Sequence, residues 1–236
     1  PDGRGLGRRR APVPGGGVIT ALLDPFVEFA FMRRALVATV ALAIGSAPLG
    51  CLLVLRRMSL VGDAMAHAVL PGAAAGFLLA GFSLPAMSAG GFLAGLAVAL
   101  AAGVVTRHTP QREDASFAAF YLIALALGVL MVSMRASQVD LMHLLFGSVL
   151  AVDDAALLLM ASIASATLLV LAVLYRPLVL ESVDPGFLRS VGGPGALAHG
   201  ALIVLVVGNL VSAFQALGTL MAVGLMMLPA DSARFW

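Results

Sequence analysis

Apolar stretches of spanning length alternate with short polar connections along most of this chain. Runs of about 18–21 apolar residues, enough for a membrane-crossing helix, occupy 35–55, 64–82, 86–105, 115–134, 155–175 and 196–214. A shorter run, 216–228, ends at Pro229 and predicts a seventh helix. Residues 26–32 are few and carry Glu28, which suits an interfacial helix. The expected fold is therefore all-α, a polytopic transmembrane helical bundle of about seven helices. Residues 1–17 are rich in Gly, Pro and Arg without an apolar period and read as a flexible leader. Residues 18–236 form one transmembrane domain, and both ends of the chain read as those of a fragment, truncated at the C-terminus.

Composition agrees with the pattern. The chain is 61% hydrophobic and 11% charged, against about a quarter charged in soluble domains. All 14 basic residues are arginines. They cluster in connections and near the N-terminus, as membrane topology requires, so a nucleic-acid role gains no support. The connections 107–114 and 176–195, with Arg56 and Arg57, hold six arginines on one side of the alternation, and the loops opposite hold Arg135 alone. The positive-inside rule makes the arginine-rich side cytoplasmic, which leaves Arg33 and Arg34 outside. Cys51 cannot form an internal disulfide and is expected to pack in its apolar run.

Within the second span, Asp63 and His67 stand four residues apart and share a helix face. An ionisable pair at the mouth of a membrane helix is costly and marks a substrate or ion path. It also admits a plainer reading, a salt bridge at a helix end. As ligands, a carboxylate and an imidazole suit a divalent transition metal, but two residues make an incomplete site. A second copy on a two-fold axis would supply two more. Pro71 removes the amide that would bond the His67 carbonyl and can kink the helix there. Ala64, Ala68, Gly72 and Gly76 form a ridge of small residues, and Gly91, Gly95, Ala99 and Gly103 form a stripe on the third span. The two are expected to pack closely.

The connection 176–195 contains start and stop signals for a short helix, 185–191. Asp184 caps it, Pro185 suits its first position, and Gly192 with Gly193 ends it. On sequence physics alone this is a capped surface turn. His108 and His199 fall at the cytoplasmic side, and His143 lies in a broken amphipathic stretch. No Walker A, His-Glu-x-x-His or Gly-x-Ser-x-Gly motif occurs, which argues against an enzyme. The rival classes are a metal-dependent intramembrane enzyme, which lacks a third ligand or nucleophile, and a non-transporting scaffold.

Three ordered motifs carry a resemblance. The run from Pro48-Leu49-Gly50 through Arg56-Arg57-Met58-Ser59 and Gly62-Asp63 to His67-Ala68-Val69-Leu70-Pro71-Gly72 resembles the membrane subunit of bacterial zinc/manganese/iron ABC importers. Asp140-Leu141-Met142 with Leu145-Phe146-Gly147 is similar to that family's middle motif, and Gly218-Thr219-Leu220 with Leu228-Pro229-Ala230 to its late one. The resemblance implies a homodimeric permease of the inner membrane. It would be fed by a periplasmic metal-binding protein and driven by cytoplasmic ABC ATPase subunits. It further implies that Asp63 and His67 face the translocation path. Asp184, Pro185, Phe187, Leu188, Arg189 and Gly192 would belong to the ATPase-coupling loop. Leu122 stands where some zinc-type members carry a histidine, Asp231 where the family has a small residue, and members continue past the late motif with further helices. No permanent cofactor is expected, only a transported divalent metal. The affinity order of nitrogen/oxygen sites favours zinc, with manganese or iron next. The alternative within transporters is a siderophore or vitamin permease.

Overall fold

The computed structural model describes residues 24, 26–81, 83–110, 113–135 and 152–233. The leader, the middle motif with His143, and Arg234 lie outside them. Among the described residues these helices follow in order: α1 (Ala30–Leu55), α2 (Ser59–Ala80), α3 (Leu84–His108), α4 (Glu113–Arg135), α5 (Asp154–Val183), α6 (Pro185–Ser190) and α7 (Gly195–Ala233). Among the described residues there is no strand. Among the described residues six helices are long and apolar enough to cross a membrane, and 221–233 is a shorter apolar segment. The expected all-α polytopic bundle is what forms.

Four boundaries differ from the pattern, each for a physical reason. The expected interfacial helix splits at Phe29, whose backbone is extended, and residues 30–32 join α1. Arg33 and Arg34 lie in its first turns because long side chains carry their charge away from the helix axis. Ser59 rather than Ala64 starts α2, because α1 closes in a Schellman turn: Arg57 N–H bonds Val54 O and Met58 N–H bonds Leu53 O, both at 3.0 Å. Arg57 takes the left-handed position of that turn, φ 58°. The helix α5 runs through Pro177 to Val183, so the polar connection is shorter than expected. A proline without an N–H kinks a helix rather than always ending it, and Leu174 absorbs the bend at φ −100°, ψ 15°. Pro229 likewise lies inside α7, whose break falls at Gly218, φ 73°.

The first half of α7 and α2 are the most buried spans, and α5 is the least. The core joins Leu42 and Leu49 of α1, Met65 and Val69 of α2, Phe117 of α4, Met160 of α5 and Leu202, Val206 and Leu210 of α7. A buried polar contact ties two of these helices: Asn209 Nδ2 donates to Thr167 Oγ1 at 2.7 Å and to Leu205 O at 2.9 Å. Cys51 is exposed on the outside of α1, not packed as expected.

Arg56 and Arg57, Thr106 and Asp114, and Arg189 and Gly193 all line one open cavity of about 1440 Å³. The α1–α2, α3–α4 and α5–α7 connections therefore share one end of the bundle. Arg34 and Asp154, which begin α1 and α5, pair at 2.9 Å at the other. The arginine-rich end is cytoplasmic by the positive-inside rule.

Candidate metal path

Asp63 lies one turn into α2, near the end of the apolar span 60–80. At about 1.5 Å of rise per residue it stands ~6 Å along the axis from Ser59, and His67 stands ~6 Å further on. His67 Nε2 is 3.6 Å from Asp63 Oδ1, and 49% of the Asp63 side chain is exposed against 18% of His67. The flanking residues Ala64, Met65, Ala66 and Ala68 are all buried. The pair is thus polar surface between buried neighbours on α2. It lies apart from the cytoplasmic cavity, whose lining contains neither residue.

Two contacts from α4 hold this stretch of α2. The Tyr121 ring lies 5.5 Å from the imidazole, centroid to centroid, at an interplanar angle of 35°. Further along, Gly128 brings α4 against Pro71, where a Cβ would stand 3.2 Å from the proline nitrogen. His67 Nδ1 is buried with no hydrogen-bond partner among the described residues. Nε2 is the ring nitrogen that stands beside the Asp63 carboxylate. Leu122 is 57% exposed, and it is Tyr121 that α4 turns toward the pair. The sequence reading missed Tyr121; its signal was an aromatic hydroxyl inside an apolar span.

The α2–α3 contact is close, with a register offset from the expected stripe. A Cβ on Gly72 would collide with the Gly90 carbonyl, and one on Gly76 with the Ala86 carbonyl. Gly91 and Gly95 instead make room for valines: a Cβ would stand 2.7 Å from Val69 Cγ1 at Gly91 and 2.7 Å from Val207 Cγ1 at Gly95. They seat α3 against both α2 and α7. Ala64 and Ala68 are buried. Gly103 faces open space.

The capped helix stands as α6. Asp184 accepts from Phe187 N–H at 2.9 Å, Pro185 opens the helix, and Gly192 follows it at φ 70°. Leu188 is buried, whereas Phe187 and Val191 are about half exposed, at 51% and 59%. Arg189 bonds back to Pro185 O at 3.1 Å. One apolar residue thus anchors α6 and two face outward. Asp231 is exposed on α7 and His108 ends α3, also exposed. Beside α6, Arg56 reaches Glu181 and His199. Among the described residues no three His, Cys, Asp or Glu side chains gather as a metal site.

A polytopic bundle of six long apolar helices, with an ionisable pair inside a small-residue span, defines a multi-pass membrane protein. The ABC 3 transport family matches residues 28–236, and the chain belongs to it. It is 35% identical over 219 residues to the manganese import system permease protein ScaB of Streptococcus parasanguinis, covering 93% of this chain and 77% of the relative. It is 31% identical over 212 residues to the chelated iron transport system membrane protein YfeD of Yersinia pestis, covering 90% and 70%. The solved structure of PsaBC from Streptococcus pneumoniae in complex with Fab superposes at a TM-score of 0.80 and 31% identity, over 92% of this chain and 77% of that one. The chain is accordingly the permease subunit of an ABC metal importer, a multi-pass inner-membrane protein and not an enzyme. ATP hydrolysis lies with a partner subunit.

Proposed function

We infer that the cargo is manganese, with iron(II) next, and that it passes the Asp63/His67 layer. The metal order follows the relatives named for manganese and iron, and the path follows the half-exposed Asp63 carboxylate beside His67 Nε2, flanked by the buried Ala64, Met65, Ala66 and Ala68. The expected preference for zinc gains no support from the relatives, which are named for manganese and iron. A sparse oxygen/nitrogen pair holds a cation weakly enough to release it, as conduction requires. One copy supplies one carboxylate and one imidazole, so a second copy facing it would double the set. A periplasmic metal-binding protein delivers the ion, and cytoplasmic ATPase subunits dock on the outward side of α6 through Phe187 and Val191.

The test is uptake of radioactive manganese, iron(II) and zinc in cells lacking their own importers, with the complete permease and its partners. Asp63→Ala and His67→Ala at matched membrane abundance are expected to abolish uptake, and manganese to outcompete zinc. Undiminished uptake would reduce the pair to a salt bridge, and zinc winning would restore the opposite metal order. Mixing unaltered and Asp63→Ala subunits in one transporter tests the two-copy site: half-altered complexes should fail.

A further inference from the structure

Arg56 ends the turn after α1 with its guanidinium buried, 8% of the side chain exposed. Its Nη1 lies 2.6 Å from His199 Nδ1, near the start of α7. Its Nη2 lies 3.4 Å from Glu181 Oε1, in the last turn of α5. A guanidinium fork can hold two acceptors on different helices at once, which an ammonium point charge does poorly.

Both partners flank α6, since α5 leads into it and α7 leaves from it. The contact is continuous on that side. A Cβ on Gly195 would stand 2.7 Å from Glu181 Oε2 and 3.6 Å from Leu188 Cδ2, and one on Gly193 would strike Leu188 as well. Leu188 is the buried anchor of α6. On the other side Arg56 is three residues from Ser59, the first residue of the helix that carries Asp63 and His67. The hydrogen-bonded Schellman turn between them leaves no loop to absorb a displacement.

We propose that Arg56 is a positioning residue that couples α6 to α2, so that movement of the coupling helix is passed through Glu181 and His199 to the Asp63/His67 helix. The proposal rests on the reading that α6 docks the ATPase and that the pair lines the path. Apolar side chains would hold three helix ends at least as firmly as a buried ionic cluster. What the cluster adds is direction: its bonds survive only while the three helix ends keep their mutual geometry.

The experiment uses the complete transporter, permease with ATPase and binding protein, in liposomes, with manganese uptake and ATP hydrolysis read in the same vesicles. The variants are Arg56→Lys and the double change Arg56→Met with Glu181→Met, whose apolar pair keeps the packing. In both, uptake per ATP hydrolysed is expected to fall about ten-fold while hydrolysis stays within about two-fold, the scale of a lost coupling energy. An unaltered ratio in the assembled double variant overturns the proposal, because the cluster then only packs. Uptake and hydrolysis falling together in both variants overturns it too, as a loss of assembly. Failure of the underlying reading shows separately: Phe187→Ala would leave the ATPase bound, or Asp63→Ala would leave uptake intact.

Discussion

Tyr121 packs its ring against His67. Its ring centroid lies 5.5 Å from that of the imidazole, and His67 Nδ1 is buried, so packing from α4 restrains the ring orientation that sets Nε2 beside Asp63. Removing the ring lets the imidazole rotate without changing its chemistry. Tyr121→Leu is therefore expected to raise the KM for manganese uptake by about 10-fold, the scale seen when a ligand's supporting partner is lost. Tyr121→Phe keeps the ring and should stay near the unaltered value. Uptake kinetics at matched abundance separate the two, and an unchanged KM in Tyr121→Leu would remove the positioning role. Asp63 and His67 were legible in the sequence because charge inside an apolar run stands out against its neighbours. Tyr121 was not, because which of the residues around 122 faces α2 depends on the rotation of α4 about its own axis.

At the scale of elements, backbone-to-backbone approach sets the tolerances. Gly72 lies against the Gly90 carbonyl, so Gly72→Ala must push α2 and α3 apart, at a cost of about 1–3 kcal/mol. Gly103 faces open space, and Gly103→Ala should hold or slightly raise stability. Thermal unfolding of the two variants in the same detergent is expected to give a lowered Tm for the first only. In α6, Asp184→Ala removes the acceptor for Phe187 N–H and should cost about 0.5–2 kcal/mol of local stability. Faster proteolysis around residues 184–192 with unchanged bundle Tm would register it. The start and stop signals of α6 were readable because Asp, Pro and Gly act locally. The extension of α5 through Pro177 was not, because neighbouring helices decide whether a proline ends a helix or bends it.

For the whole molecule, the two ends differ in what their charges do. At the outer end Arg34 and Asp154 pair across α1 and α5 while 44% and 74% exposed. Such a pair is worth about 0–1 kcal/mol, and Arg34→Ala is expected to leave uptake and Tm within error. At the cytoplasmic end Arg56 and Glu181 are only 8% and 14% exposed, and with His199 they tie three helices around α6. Loss of manganese uptake in Arg34→Ala at normal abundance would show that the outer pair matters to transport after all.

Hydrophobic runs, capping residues and the isolated pair determined, without any structure, the number of spans, the arginine-rich end, the α6 turn and the Asp63/His67 candidate. All of these rest on interactions within a few residues or on transfer of a segment from water to lipid, which composition encodes directly. Tertiary structure alone decided that Gly90 rather than Gly91 meets Gly72, that Tyr121 rather than Leu122 meets His67, and that Arg56 joins Glu181 and His199 across more than a hundred residues of chain. Those depend on helix rotation and crossing, which are settled by packing among several helices at once and leave no periodic trace in any one of them.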